Sequence, residues 1–318
     1  MTVKEIFELR KQGRVEEAYE AIRPMYASHK GKYTTLAMFW TASDILKKRL
    51  KEKRTAEAMS IFEALLRVLP NIDDKDGRAH DAIMGHALRL GQEAPGFSTL
   101  KFVGKMGVEN LSEADWRSIM PTPKEGEPQD KRQFPLPSMA QRLLTQSFKE
   151  VRRQPTTDNV LMVMPLLTEA IRRQPRNKNN QRFMAFIYGI MGEREKAVAI
   201  YRQLLGKYHD SWLYAELSAL IDDPAQKAAL LCQAITNQRQ PQFRVGYHLQ
   251  LAQLLADRDP SRAAYELQQC IAIRTAQGHP LTREIQALQE RLKAVAPASP
   301  EAQRDFYRRM AQKYGERR

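Results

Sequence analysis

The feature of this sequence that most constrains its fold is a helical pattern that recurs about every 34 residues. Its clearest copy follows Asn177 and reads QRFMAFIYGIMGEREKAVAIYRQLLGKYHD. Small, aromatic and apolar residues alternate around a glycine in this copy, at Ala185, Tyr188, Gly192, Ala197, Tyr201 and Leu204. Small residues let two helices approach closely, the glycine turns the chain, and the large residues fill the groove to the next hairpin. The pattern predicts stacked helical hairpins.

Two further copies follow directly. They keep Trp212 and Leu251 in phase, and each replaces the glycine turn with an Asp-Pro pair, at Asp223-Pro224 and Asp259-Pro260. Aspartate caps a helix N-terminus and proline suits the first helical turn, so each pair predicts the start of a second helix. Three consecutive repeats are therefore predicted across residues 177–275.

The N-terminal region carries the same pattern more loosely. Two stretches place small and large residues at the spacing of a second helix, with Gly13, Ala18 and Ile22 in the first and Ala58, Phe62, Leu65 and Pro70 in the second. They predict a first, smaller stack. After it, the sequence predicts a short amphipathic helix around Leu100–Met106 and a capped helix start at residues 112–115.

These matched positions resemble the tetratricopeptide repeat (TPR) family. The resemblance implies an all-α fold, an α-α superhelix (TPR-like solenoid), whose concave face is lined by the first helix of each pair and receives peptides or helices of other proteins. The stretches MTVKEIFELRKQGRVEEAYEAIRPMY and ENLSEADW also resemble bacterial TPR proteins that are associated with mobile-element or conflict-system loci. The Lys, Asn and Arg set of the family's carboxylate-clamp members has no counterpart on successive first helices here.

Proline and charge divide the chain into regions. The stretch PTPKEGEPQDKRQFPLP has no periodic apolar face and predicts a linker, and APASP at residues 296–300 sets off a last basic helix. We predict an N-terminal TPR-like region at 1–118, a Pro-rich linker at 119–137, a C-terminal TPR-like repeat domain at 138–295 and a basic C-terminal helix at 296–318.

No arrangement of residues typical of catalysis or metal binding is found. The six histidines are isolated, and Cys232 and Cys270 lie in apolar helical stretches, where they are expected to be buried. An acidic cluster around Asp74 resembles a calcium loop, but Ile72 and Ile83 occupy its first and last ligand positions. It is interpreted as a turn that caps a helix starting near Arg78. We therefore predict a non-enzyme without cofactor or metal.

The N-terminus lacks the apolar stretch of a secretory signal, and no run approaches the roughly 18 apolar residues of a membrane span. These features predict a cytoplasmic protein that does not bind membranes. They leave the oligomeric state open.

The charge distribution leaves two interpretations open. The chain has 51 basic and 37 acidic residues, a formal net charge of +14. Nine basic and three acidic residues fall between Ser138 and Arg182, where the phrase Arg-Arg-Gln-Pro occurs twice. Arginines at a helix C-terminus offset the macrodipole, so a structural role is favoured. In the alternative, a phosphate-binding stripe is formed by Arg152, Arg153, Arg172, Arg173, Arg176, Lys178 and Arg182.

The basic C-terminal helix carries Phe306, Tyr307 and Tyr314 among its arginines. Their helical spacing favours docking on the solenoid, and stacking on unpaired bases is the alternative.

Two functions follow from these patterns. The first is a non-catalytic scaffold that holds a partner peptide or helix on its concave face, with Asn180, Phe183, Tyr214 and Tyr247 as groove residues. The second is a nucleic-acid-binding adaptor that uses residues 138–182 and the C-terminal helix.

Overall fold

The structure is a computed structural model that describes residues 1–120 and 134–316. These ranges contain sixteen α-helices, and their only β-type pairing is an isolated bridge between Ile119 and Leu136. The all-α, TPR-like class predicted from the repeat is confirmed. The chain divides into two compact units, Met1–Arg173 (unit 1) and Gln174–Arg318 (unit 2). Within the described ranges, no helix has both the length and the apolarity to cross a bilayer.

Unit 1 consists of helical hairpins that pack in chain order. Its helices are α1 (Val3–Lys11), α2 (Val15–Ser28), α3 (Lys32–Lys51), α4 (Thr55–Val68), α5 (Arg78–Glu93), α6 (Thr99–Met106), α7 (Met139–Arg153) and α8 (Thr157–Arg173). Helices α1 to α5 pack each on the next, while α6 packs against both α7 and α8. The predicted short helix corresponds to α6, and both Arg-Arg-Gln-Pro phrases end a helix, as the structural interpretation expects.

Unit 2 contains the three predicted repeats. Its helices are α9 (Lys178–Ile190), α10 (Arg194–Leu205), α11 (Ser211–Ala219), α12 (Pro224–Asn237), α13 (Val245–Leu255), α14 (Pro260–Ala276), α15 (Arg283–Leu292) and α16 (Pro300–Tyr314). Helices α9/α10, α11/α12 and α13/α14 form the hairpins, and each hairpin packs on the next. Helix α16 turns back and packs against α12.

The turns use the residues that the sequence indicated. Gly192 joins α9 to α10 with a φ of +79°, a left-handed conformation that favours glycine. Asp223 and Asp259 cap α12 and α14 through their carboxylates, and a proline opens each helix. In unit 1 the Asp74 carboxylate accepts hydrogen bonds from the backbone N–H of Ala79 and His80, at 3.0 and 2.8 Å. The acidic cluster is therefore a helix cap, as expected.

The core of unit 2 is built from the small and aromatic positions of the repeat. Ala185, Ala197 and Tyr201 are buried, and so are Cys232 and Cys270, as predicted. Helix α16 adds Phe306, Tyr307 and Met310 to the edge of an apolar cluster that α12, α13 and α14 form. The docking interpretation of the C-terminal helix is thus confirmed.

Helices α7 and α8 belong to unit 1, although the sequence grouped them with the C-terminal repeats. The Glu150 carboxylate of α7 accepts hydrogen bonds from the Ser98 hydroxyl and the Thr99 N–H, at 2.6 and 2.8 Å, and so caps α6. Gln146 of α7 donates to the backbone oxygen of Gly91 at 2.7 Å. These contacts join residues 51 to 55 positions apart, which differs from the repeat spacing of about 34 residues. The predicted linker falls mostly on 121–133, outside the described residues, and the domain bounds drawn from it remain a prediction.

Candidate partner-binding surface

The first helices of two successive hairpins in unit 2, α9 and α11, place cations on an aromatic ring. The guanidinium of Arg182 lies 4.1 Å from the ring centroid of Trp212. The ammonium of Lys178 lies 5.5 Å from the same ring and 4.9 Å from that of Tyr208. We call this array, with its two carboxylates, the Trp212 surface; it comprises Lys178, Arg182, Tyr208, Asp210, Trp212 and Glu216.

Each cation of the Trp212 surface is paired with a carboxylate. Arg182 donates two hydrogen bonds to Glu216, at 2.8 and 2.5 Å, and both side chains are less than one-fifth exposed. The Tyr201 hydroxyl also donates to Glu216, at 3.2 Å. Burial disfavours the charge on Arg182, but the hydrogen bonds that it donates to Glu216 and the negative charge of that carboxylate together outweigh burial and raise the Arg182 pKa. Lys178 donates to Asp210 at 2.7 Å. Both cations of the array are therefore neutralised by carboxylates of the same unit.

The repeat itself creates this geometry. Arg182 and Glu216 are 34 residues apart, as are Lys178 and Trp212, so each pair joins the same position in adjacent repeats. Unit 1 shows the same relation, because Arg10 of α1 donates to Asp44 of α3 at 2.9 and 2.7 Å across the same separation. Comparing charged residues at one repeat offset would have found the Arg182–Glu216 and Arg10–Asp44 pairs from the sequence.

Three of the four predicted groove residues are buried inside the repeats. Asn180, Phe183 and Tyr214 are 0%, 5% and 1% exposed, whereas Tyr247 is partly exposed and its hydroxyl lies 3.4 Å from that of Ser211. Their burial follows from their positions around the helix axis.

Two residues along an α-helix correspond to a rotation of about 200° around its axis. Asn180 and Tyr214 each follow a residue of the Trp212 surface by two positions, so they face the core. The role of the four residues in binding a partner remains a prediction, and among them Tyr247 is the one that is partly exposed.

The predicted basic stripe is divided between the two units. Arg152, Arg153, Arg172 and Arg173 belong to unit 1; Arg176, Lys178 and Arg182 belong to unit 2.

Most of the stripe's described cations already have acidic partners. Arg172 donates to Glu169 at 2.6 Å, and Arg173 donates to Glu169 and Glu113, both at 2.6 Å, while lying over the Trp116 ring. The hydrogen bond from Arg172 lowers the Glu169 pKa to about 2. Arg152 and Arg153 are exposed at the end of α7. Within residues 1–120 and 134–316, Arg153 and Arg176 have no ion-pair partner.

A buried polar network in unit 2 was missed by the sequence analysis. Glu266 of α14 is fully buried; His248 of α13 lies 2.5 Å from one carboxylate oxygen, and Gln303 of α16 donates to the other at 2.5 Å. The Tyr307 hydroxyl donates to the same oxygen as Gln303. Burial and the Glu266 charge raise the Tyr307 pKa, which keeps this donor protonated. The sequence did contain a sign of this network: Glu266 lies on the apolar face of α14, at helical spacing from Ala263 and Cys270.

Other reactive groups are sparse. Burial and the Glu266 charge raise the pKa of the Cys232 thiol, and burial raises that of Cys270. Among the described residues, no group of three His, Cys, Asp or Glu side chains is arranged to hold a metal ion.

Comparison with known proteins yields one family match. Residues 182–313 match the family described as "Domain of unknown function (DUF7017)". A search of curated proteins gives no match.

Two solved structures give loose superpositions. The TPR2AB-domain:pHSP90-complex of yeast Sti1 is 13% identical at a TM-score of 0.34 and covers 91% of this chain and 96% of that chain. BtubC (BKLC) from P. vanneervenii is 13% identical at a TM-score of 0.29, with 86% and 94% covered. At these low scores neither likeness carries an argument about function.

Proposed function

We propose that this chain is a non-catalytic scaffold that binds a partner peptide or helix through the Trp212 surface of unit 2. The observation that carries the proposal is the stack of Arg182 and Lys178 on the Trp212 ring, with both cations fixed by carboxylates. Tryptophan, tyrosine and arginine are the residues most enriched among those that dominate binding energy at protein interfaces.

The preformed geometry favours binding. Ion pairs hold Arg182 and Lys178 in place, so little side-chain freedom is left for a partner to freeze. The ring of Trp212 is only partly buried, and the polar tips of Asp210 and Lys178 surround it. A partner can thus place an apolar or planar group against the ring and hydrogen-bond the charged rim.

The same ion pairs disfavour the nucleic-acid alternative. A phosphate that approached Arg182 or Arg173 would also approach the carboxylates that these arginines already hold. A cation neutralised within its own chain releases few counterions on binding, which removes the main driving force for backbone recognition.

A peptide-selection experiment tests the proposal. A displayed library of random 16-residue peptides is panned on the immobilised full chain, and recovered peptides are measured by fluorescence anisotropy against the wild type and two variants. Trp212→Ala is expected to weaken binding about tenfold or more, in line with the loss of a central aromatic contact. The matched control is Tyr188→Ala, which removes another ring with a stacked cation, Lys196 at 5.5 Å. The proposal is contradicted if both variants lose peptide affinity equally, or if no peptide is recovered from the library.

The nucleic-acid alternative is tested in parallel. Labelled single- and double-stranded oligonucleotides are titrated with the full chain at low and near-physiological salt. We expect no sub-micromolar binding at the higher salt. Binding that persists there and is lost on Arg152→Ala/Arg153→Ala substitution would replace the scaffold with the adaptor.

A further inference from the structure

Unit 1 contains an open apolar groove that the Trp212 surface does not involve. The groove has a volume of about 610 Å³; α4 and α6 form its walls and α5 contributes to its floor. We call it the α4–α6 groove. Its apolar lining includes Phe62, Leu66, Leu69, Ile83, Phe97 and Met106.

The groove exists because the repeat breaks at this point. After α5 the chain passes through Pro95 and Gly96 into α6, which is only eight residues long. Leu66 of α4 remains 36% exposed.

The groove has the shape of a helix-binding site. Phe62, Leu66 and Leu69 are spaced four and three residues apart along one wall, a distance of about 10 Å or two helical turns. The groove is open to solvent along this length, because Glu63, Leu66 and Lys101 on its rim are all exposed. An enclosed small molecule would have most of its surface buried, whereas a helix laid along a groove buries only one face.

The charges of the rim specify the kind of helix. Lys101 and Lys105 are one turn apart on α6, both are exposed, and neither has an ion-pair partner within the described parts of the chain. The opposite wall offers a single acid, Glu63. His80, at one end, lies 3.1 Å from the Asp115 carboxylate and is already engaged. The α6 wall therefore attracts acidic groups.

We propose that the α4–α6 groove binds a two-turn amphipathic helix of a partner protein, with apolar residues at i, i+4 and i+7 in the groove and acidic residues on the flank that faces Lys101 and Lys105. This site is independent of the Trp212 surface, so each can fail without the other.

The test uses a helix-templated library on the full chain. Displayed 14-residue peptides carry fixed leucines at i, i+4 and i+7 and randomised flanks. Selected peptides are expected to have Asp or Glu on one flank, and their affinity is measured by fluorescence anisotropy.

Two substitutions to glutamate separate groove binding from general surface effects. Leu66→Glu places a charge on the groove wall and is expected to weaken binding about tenfold or more. Leu161→Glu is the matched control, because Leu161 of α8 is 60% exposed in the same unit and does not line the groove. Binding should be unchanged in this control and in Trp212→Ala.

Charge reversal tests the acidic flank. The double variant Lys101→Glu/Lys105→Glu should prefer peptides in which lysines replace the flanking acids, by about fivefold or more at low salt. The proposal is overturned if no selected peptide is sensitive to Leu66→Glu, or if charge reversal leaves the preference unchanged. It is also overturned if decanoate binds with sensitivity to Leu66→Glu while no helix does, because the groove would then be a site for small amphipathic anions.

Discussion

The two compact units treat their polar groups differently. In unit 2 the cations of the Trp212 surface are paired with carboxylates of the next hairpin, and the buried Glu266 has three hydrogen-bonding partners. The first hairpins of unit 1 also pair a cation with a carboxylate one repeat away, because Arg10 forms an ion pair with Asp44. Its later part instead leaves an apolar groove beside two lysines that have no ion-pair partner in the described residues. Arg182 and Arg10 are thus paired at the repeat spacing, whereas the α4–α6 groove lies where the repeat is interrupted.

The density of positive charge along the sequence differs from the charge that remains unpaired in the fold. Positive charge is dense between Ser138 and Arg182, yet Arg172, Arg173 and Arg182 are neutralised by acids of their own unit. Lys101 and Lys105 lie in a less basic stretch and retain their charge for a partner. Charge density along the chain is therefore a poor guide to the field at a surface.

The largest expected effect concerns the buried network of unit 2. Glu266→Ala leaves His248, Gln303 and Tyr307 without their shared acceptor, and we expect it to lower the free energy of unfolding of unit 2 by roughly 3–5 kcal/mol. Denaturation followed by fluorescence of Trp212, the one tryptophan of unit 2, measures this. Glu266→Gln keeps one acceptor oxygen and should lose less. Equal losses for both variants would mean that packing, not hydrogen bonding, fixes α16.

Acid is expected to affect unit 1 through His86. Its ring lies 2.7 Å from the Ser43 hydroxyl, and burial, with Lys47 and Arg89 nearby, lowers its pKa from 6.5 to about 4. Between these values the unfolded chain binds a proton that the folded chain does not, so the free energy of unfolding rises with pH. The contribution is present above pH 6.5 and is lost as the pH falls toward 4, on the order of 2–3 kcal/mol.

Hydrogen–deuterium exchange of α3 and α5 at neutral and acidic pH, corrected for intrinsic rates, tests the role of His86. His86→Gln should reduce the difference between the two pH values. The control His29→Gln changes an exposed histidine in the same unit and should leave that difference intact. If both variants keep the full acid sensitivity, another group is responsible.

Removing one charged side chain from the Trp212 surface and one from the α4–α6 groove tests whether paired charges contribute more to stability than unpaired ones. Glu216→Ala strips a largely buried Arg182 of its acceptor and should destabilise unit 2 by about 2 kcal/mol. Lys101→Ala removes an exposed cation that has no ion pair with any described residue, and it should change the free energy of unfolding of unit 1 by less than about 0.5 kcal/mol. Both are measured by urea unfolding with exchange readouts for each unit. A costly Lys101→Ala would show that this lysine has a structural role after all.

The sequence predicted the regular parts of the molecule. Gly192, Asp223 and Asp259 mark turns through local chemistry, so the hairpins of unit 2 followed from them. The face of a first helix that remains exposed depends on how adjacent hairpins rotate against each other, and this is why the sequence did not reveal that Asn180 and Tyr214 are buried. The α4–α6 groove depends on contacts such as Glu150 with Ser98, which join distant segments and leave no periodic trace.

A further modest effect is expected from the equivalent turn in the two units. Lys53, between α3 and α4, has a φ of +59°, whereas Gly192 has +79° at the equivalent turn between α9 and α10. The left-handed region costs a residue with a Cβ about 1 kcal/mol, partly offset by the greater flexibility of unfolded glycine. Lys53→Gly should therefore stabilise unit 1 by up to about 0.5–1 kcal/mol, and Gly192→Ala should destabilise unit 2 by about 1 kcal/mol. Thermal unfolding with exchange readouts distinguishes the units, and a destabilising Lys53→Gly would mean that the lysine side chain contributes more than its backbone strain costs.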